Sequence, residues 1–259
     1  MKKDAFVLNI AIILLLAACG GSSDPVDPSH NSSTNNSNTP IPLPTTPTIP
    51  TNKVSGTYQG KAYIIPVNGS AGKAENIGSN SLATHSIDGQ KLTTEFPNVS
   101  FDEIANFTDS KILGQSYRLF IASGKNYAHS RFGYISEGDK DYIFSHGVPT
   151  TNMPSNGIVR YVGHAALGRT AIGAVADADI VADFGQKTLR GQISQIASSR
   201  FDFSQINFNA TISGNSFSGD GAVKSNGNFY GNNAAEVGGI FHDTTQNLYG
   251  SFGAKRASN

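Results

Sequence analysis

The stretch QINFNATIS at residues 205–213 decides the fold class. Its apolar residues, from Ile206 to Ile212, occupy every second position and alternate with Asn, Thr and Ser. A period of two places the apolar side chains on one face of an extended strand and the polar ones on the other. One dry face and one solvated face are typical of an antiparallel sheet.

Similar short runs recur through the last hundred residues, separated by Gly, Asn, Asp and Ser. Eight short strands joined by hairpins favour a closed up-and-down barrel, which leaves no exposed edge and whose interior is filled by side chains. A membrane-spanning barrel is the alternative, but Asp, Asn and Arg stand at several outer positions where it needs an apolar band. The predicted strands are residues 158–168, 174–184, 187–195, 203–213, 216–224, 227–231, 234–242 and 246–256.

The preceding residues are β-like but less regular. Strands are predicted at residues 117–123, 130–136 and 141–145, and a short helical turn at residues 102–107. Residues 153–157, Met-Pro-Ser-Asn-Gly, read as the joint into the barrel. The predicted fold class is therefore all-β, with a β-rich domain at residues 53–152, called the handle below, and a barrel domain at residues 153–259.

Two segments near the C-terminus carry a family resemblance. Residues 229–241 read FYGNNAAEVGGIF and residues 249–256 read YGSFGAKR. Together they resemble the barrel ending shared by transferrin-binding protein B and factor H binding protein, surface lipoproteins of Gram-negative bacteria. Residues 130–163 are also similar to the segment that joins handle and barrel in small members and in the heme-binding hemophilins.

The resemblance implies a binding protein rather than an enzyme. Family members capture transferrin, complement regulators or heme, so a host protein or heme is the implied ligand. This chain has one handle-and-barrel unit where transferrin-binding protein B has two. The resemblance therefore does not by itself imply that transferrin is the ligand. A dedicated outer-membrane translocator that recognises the barrel is implied as a further partner, with a location on the cell surface.

The N-terminus predicts export and lipidation. Lys2 and Lys3 precede the apolar run of residues 6–16, and Leu-Ala-Ala leads into Cys19, the single cysteine of the chain. This pattern is typical of a secretory signal, here residues 1–18, and not of a spanning helix. It resembles a bacterial lipobox, which implies acyl (palmitate-type) chains on Cys19 and an outer-membrane anchor. The alternative is an ordinary signal peptide with an incidental cysteine.

Residues 19–52 predict a disordered tether. Seven of the eleven prolines lie here among Ser, Thr and Asn, so the segment buries too little surface to offset the entropy of ordering. The whole chain has nineteen basic and nineteen acidic residues, which gives no basic surface for nucleic acid. No nucleophile elbow, phosphate loop or zinc-protease motif occurs, and no catalytic or metal site is predicted.

Histidines are the candidate ligands for heme, which needs one or two axial ligands and an apolar slot. His85, His129 and His146 fall in the handle, and Tyr127 lies two residues before His129. The competing interpretation is that these are polar loop residues bonded to water or backbone. His30 lies in the tether, whereas His164 and His242 fall on polar strand faces and are expected at the surface.

A host protein would be met by exposed aromatic residues or arginine on the handle. Residues of the right type either form such a patch or pack in the core: Tyr117, Tyr127, Arg131, Phe132 and Tyr134. The predicted function is capture of a host-derived ligand for iron or heme acquisition. Binding of a complement regulator for immune evasion or adhesion is the alternative, and an envelope-structural role also fits the tether.

Overall fold

The computed structural model describes residues 56–96 and 102–258, which all belong to one compact unit, Pro44–Asn259. The signal peptide, Cys19 and the tether lie outside the described residues. Within the described ranges the chain forms sixteen β-strands and no helix, which confirms the all-β prediction. No helix among the described residues is long and apolar enough to cross a membrane.

The handle is built on a six-stranded antiparallel sheet with a small hairpin on one face. The sheet has the order β2-β1-β8-β7-β6-β5, and β3 and β4 form the hairpin. Ile87 and Leu92 of the hairpin pack with Phe120 and Phe144 of the sheet. The strands are β1 (Tyr58–Pro66), β2 (Lys73–Ser79), β3 (Thr84–Ile87), β4 (Gln90–Thr93), β5 (Ile104–Ile112), β6 (Gln115–Ser123), β7 (Ser130–Glu137) and β8 (Lys140–Gly147).

The helical turn predicted at residues 102–107 is wrong. Ile104 begins the edge strand β5, which pairs antiparallel with β6 as far as Ile112. Leu113 and Gly114 link the two strands with φ values of 49° and 87°, the left-handed pair that a two-residue hairpin needs. The sequence pattern of residues 102–107 is weak, so pairing with the neighbouring strand β6 determines the structure of this segment.

The second sheet is a closed barrel in which each strand pairs with its sequence neighbours and the last pairs with the first. The eight-stranded antiparallel up-and-down barrel is thus confirmed. The strand bounds are close to the predicted ones except at the fifth and sixth strands, whose joining turn lies at residues 221–222 and not at residues 225–226. The strands are β9 (Ile158–Arg169), β10 (Ile172–Asp183), β11 (Thr188–Gln195), β12 (Ile206–Ser213), β13 (Ser216–Asp220), β14 (Val223–Tyr230), β15 (Glu236–Asp243) and β16 (Leu248–Arg256).

Aromatic rings fill the barrel. Phe208, Phe217, Phe229, Phe241 and Phe252 are buried in one cluster, and several pairs have ring centroids 5.6–6.5 Å apart. Such aromatic pairs each add to the free energy gained from area burial alone. The interior is a packed core.

Handle and barrel share a third hydrophobic cluster. Tyr63, Tyr134 and Ile143 of the handle pack with Ala166 and Ile240 on the outer side of the barrel wall. The outward faces of these barrel strands are therefore dry where the handle covers them.

A pair of glycines, one of them in the C-terminal motif, allows β14 and β15 to approach closely. Gly227 pairs with Gly239, and a Cβ atom on Gly239 would lie 2.7 Å from the carbonyl oxygen of Asn226 and 2.8 Å from Cζ of Phe217. The ring of Phe217 thus occupies the space that a side chain at this pair would need. A glycine at such a strand position permits close backbone approach.

We expect Gly239→Ala to lower the free energy of unfolding by about 1–3 kcal/mol, because the added methyl group overpacks the barrel against Phe217. Gly221→Ala is the matched control, since its Cβ would approach nothing closer than 4.0 Å. Urea unfolding midpoints of the two variants measure the difference. Equal midpoints would show that the close approach of β14 and β15 is not a constraint.

Candidate functional site

The structure brings together two of the four predicted ligand residues. His85 on β3 and His146 on β8 have ring centroids 4.4 Å apart, and we call them the histidine pair. Tyr127 and His129 lie in the loop before β7 and contact the barrel instead. The histidine pair is therefore the candidate ligand site of the handle.

Strand alternation places the histidine pair between the hairpin and the sheet. Phe144 and His146 lie two residues apart on β8, so both face the hairpin, and the Phe144 centroid is 4.5 Å from that of His85. Opposite His146 on β1 stands Gly60, whose Cβ would lie 2.6 Å from Cβ of His146 and 1.9 Å from the carbonyl oxygen of Ser145. Only glycine fits at position 60 while His146 keeps this place.

Both imidazoles are buried without hydrogen bonds. His85 is 4% exposed and His146 is 0% exposed. All four ring nitrogens lack a hydrogen-bond partner among the described residues. Since buried polar groups in native proteins nearly always have a partner, four unsatisfied nitrogens at one place require an explanation.

Burial keeps the histidine pair neutral. Desolvation, and then the neighbouring His146, hold the pKa of His85 well below its ordinary value. Desolvation lowers the pKa of His146 to about 4, with the Arg131 charge acting in the same direction and the backbone of Ser81 opposing both without reaching hydrogen-bond geometry. Neutral imidazole is the form that coordinates metals and iron porphyrins.

Tyr127 is a buried contact between handle and barrel. Its hydroxyl lies 3.1 Å from Nδ1 of His164 on β9, and Lys255 Nζ lies 5.2 Å from the centre of its ring. Glu103 joins this cluster from the handle, 3.8 Å from His164 and 3.6 Å from Lys255. His164, which was expected at the free surface, instead lies at the junction, the place where the handle contacts the barrel.

His129 also belongs to the junction. Its ring packs against Gly231 of the barrel, and its backbone N–H donates to Oε1 of Glu236 at 3.1 Å. Ser130 Oγ donates to the other oxygen of this buried carboxylate at 2.6 Å. The role of Glu236 was not predicted from the sequence, although one acidic residue in the apolar run Ala-Ala-Glu-Val was a signal for it.

The predicted docking residues of the handle are core residues. The buried set comprises Tyr117, Tyr127, Arg131, Phe132 and Tyr134. Arg131 is held by Glu95 and by the backbone carbonyls of Tyr127 and Ser130. In the part of the chain that the structure describes, the large exposed apolar residues are others, namely Leu113, Ile158, Val162 and Ile172. No group of three or more His, Cys, Asp or Glu in the described ranges is arranged to hold a metal ion.

Comparison with known proteins supports the family resemblance. Residues 153–256 match the family described as the C-lobe and N-lobe β-barrels of Tf-binding protein B. An uncharacterised protein of Haemophilus influenzae is 34% identical over 194 residues, which cover 66% of this chain and 64% of that protein. Transferrin-binding protein B of Moraxella catarrhalis is 30% identical over 173 residues, 51% of this chain and 24% of that protein.

Solved structures agree with these matches at the level of the fold. Isotype 1 transferrin-binding protein B of Neisseria meningitidis has a TM-score of 0.55 at 22% identity, covering 77% of this chain and 43% of that one. A mutant of the Haemophilus parasuis protein has a TM-score of 0.54 at 23% identity, with 77% and 45% coverage. The chain therefore spans less than half the length of these solved structures. Together the matches confirm the resemblance to the transferrin-binding protein B-like family.

We expect the histidine pair to make handle stability fall in mild acid. A histidine whose pKa is lower in the folded state than in the unfolded state leaves the free energy of unfolding unchanged above about pH 6.5. Below that pH the unfolded state binds the proton first, so the free energy of unfolding falls. For His146 the shift from 6.5 to about 4 predicts a loss of about 2 kcal/mol at pH 5. Urea unfolding at pH 8, 6 and 5 measures it.

The double variant His85→Leu/His146→Leu removes both titrating groups and is expected to lose less stability between pH 8 and pH 5 than the parent chain. Phe144→Leu is the control, because it perturbs the same cluster and titrates nothing. An equally steep pH dependence in the double variant and the parent would contradict the assignment.

Proposed function

We propose, from the likeness to the transferrin-binding protein B-like family, that this chain is a non-enzymatic surface lipoprotein that captures a host-derived ligand for iron or heme acquisition. The observation that carries the proposal is the family match over residues 153–256, in a chain whose closed barrel packs against a β-sheet handle. The relative from Moraxella catarrhalis is, by its name, a protein that binds transferrin.

Location and attachment form part of the proposal. Cys19 carries the acyl chains in this scheme, and residues 19–52 span the distance from the membrane to the folded part. Several acyl chains on one residue give durable anchoring, whereas a single chain binds membranes only marginally. An outer-membrane translocator that recognises the barrel delivers the protein to the cell surface.

Heme is a second candidate ligand, favoured by the histidine pair. Two neutral imidazoles without hydrogen bonds offer free nitrogen lone pairs to iron. With ring centroids 4.4 Å apart the two rings are in contact, so a porphyrin does not fit between them. Heme binding by this pair therefore requires the β3–β4 hairpin to move away from the sheet, with one histidine as the axial ligand.

For the heme candidate, we expect hemin to produce a saturable shift of its Soret band when it is titrated into the purified protein. His85→Leu or His146→Leu weakens binding at least about tenfold if that residue is the axial ligand. His129→Ala is the matched control, because His129 packs against Gly231 of the barrel and should leave the titration unchanged. The absence of a saturable shift would rule out heme as the ligand.

For the protein candidate, we expect iron-loaded human transferrin to bind the immobilised chain in surface plasmon resonance at micromolar concentration or below. Human factor H is injected in parallel as the test of the complement-regulator alternative. If transferrin and hemin both fail to bind, the iron and heme proposal is wrong. Binding of factor H alone would favour immune evasion.

A further inference from the structure

The β3–β4 hairpin covers the histidine pair without belonging to the sheet beneath it. In the residues that the structure describes, β3 pairs with β4 alone, and the two form a sheet of their own. Side chains hold the hairpin down, since His85, Ile87 and Leu92 are buried against the larger sheet. Because no strand ladder ties it to that sheet, the hairpin can lift while the sheet stays intact.

Local hydrogen bonds fix the base of the hairpin. The backbone N–H of Thr94 donates to the carbonyl oxygen of Ala83 at 2.8 Å, and Thr94 Oγ1 donates to that of Leu82 at 2.8 Å. Directly after β4, the buried Arg131 donates through Nε to Oε1 of Glu95 at 3.0 Å. The base is therefore the end about which the hairpin pivots when it lifts.

Ion pairs hold the other end of the hairpin, at its turn. Oδ2 of Asp88 lies 2.9 Å from Nζ of Lys140 at the start of β8, and Oδ1 accepts from Nζ of Lys73 on β2. The backbone N–H of Asp88 donates to Oε1 of Glu75 at 2.9 Å. We call these contacts the latch. Their side chains are partly exposed, and exposed ion pairs are weak enough to exchange partners.

A hairpin that pivots about its base opens a slot that is widest at the turn. His85 stands three residues before Asp88, about 10 Å along an extended strand, so the histidine pair lies at the inner end of the slot. Apolar walls with an imidazole at the inner end suit a flat apolar ring that holds a metal ion. The walls are formed by Ile87, Leu92, Phe120 and Phe144.

Lifting the turn leaves an unpaired positive charge at the mouth of the slot. Asp88 is the only ion-pair partner that the described residues give to Lys140. Lys73 differs, because Glu75 lies 3.5 Å from its Nζ and stays with it on β2. Heme carries two carboxylates on one edge of its ring, and the span of about 10 Å from His85 to Asp88 matches the reach from its iron to that edge.

We propose that the latch exchanges one carboxylate for another: when heme enters the slot, its carboxylates replace the Asp88 side chain on Lys140. One histidine of the pair binds the iron at the inner end, and Lys140 holds the opposite edge at the mouth through a charged hydrogen bond. The carboxylates thereby distinguish heme from an uncharged porphyrin of the same shape. The exchange rests on the proposed function, since heme is its ligand, but release of the latch can be measured without heme.

The first test is amide hydrogen exchange of the purified chain, resolved by mass spectrometry to peptides that cover residues 84–93. A lifted two-stranded hairpin is marginally stable, so its amides exchange when the latch opens. Asp88→Asn removes the charge and keeps a residue type that tolerates the φ of 52° there, and should speed hairpin exchange about threefold or more. Barrel peptides should stay unchanged.

Asp220→Asn is the matched control, because it breaks the ion pair with Lys224 on the barrel and should leave hairpin exchange unchanged. Equal hairpin exchange in Asp88→Asn and the parent chain would overturn the latch. Faster exchange in hairpin and barrel alike would overturn it too, because that result means general unfolding.

The second test compares hemin with hemin dimethyl ester, whose carboxylates are blocked, by optical titration of the same variants. The ratio of the two affinities cancels the free energy of opening, which both ligands share. Asp88→Asn should raise both affinities about threefold or more and keep the ratio. Lys140→Gln should lower the preference for hemin about threefold or more. Lys125→Gln, another exposed lysine of the handle, should change neither affinity.

The outcomes separate the exchange from the proposed function. If the ester binds as tightly as hemin, or if Lys140→Gln keeps the parental ratio, the exchange is wrong while heme remains the ligand of the histidine pair. If hemin does not bind at all, the heme candidate and the exchange are both wrong.

Discussion

Closure of the barrel by β9 and β16 is the constraint on which the rest of the structure depends. The two strands pair from Gly168 with Tyr249 to Tyr161 with Arg256, and this ladder removes the last free edges of the sheet. Once the wall is closed, every barrel residue faces either the aromatic interior or the outside. The interior is full, so every recognition surface of the barrel lies on its outer wall.

The same wall fixes the handle in place. Gly253 on β16 has no side chain, and the handle residue Phe132 takes that space, with Cδ1 2.4 Å from where a Cβ atom would stand. Gly238 admits the hydroxyl of Ser145 in the same way, at 2.7 Å. The buried carboxylate of Glu236 also fixes the orientation of the handle on the barrel, because it accepts hydrogen bonds from the handle at His129 and Ser130. The glycine-rich motif near the C-terminus therefore has two effects. It allows the barrel strands to approach closely, and it leaves space for the handle side chains that pack on the barrel.

The sequence was sufficient for the barrel but not for the arrangement of the handle. Strict alternation, as in residues 205–213, identifies a strand and shows which of its side chains face the core. Short hairpins then pair each strand with its neighbour in the sequence. In the handle, β1 pairs with β8 across most of that domain's sequence, and no local pattern specifies such pairing. Residues 102–107 were predicted wrongly for another reason: their local pattern is weak, and pairing with the neighbouring β6 determines their structure. His85 and His146 are 61 positions apart, and only the packing of the hairpin on the sheet brings them into contact.

The alternation of inner and outer residues along the barrel has a consequence for how such proteins diverge. A substitution at an inner position, such as Phe208, disturbs the core, whereas one at the adjacent Asn209 alters only the surface that faces solvent. The outer positions that the handle does not cover can thus change without passing through unfolded variants. Single nucleotide changes at these positions can replace one recognition chemistry, or one antigenic surface, with another while the scaffold persists.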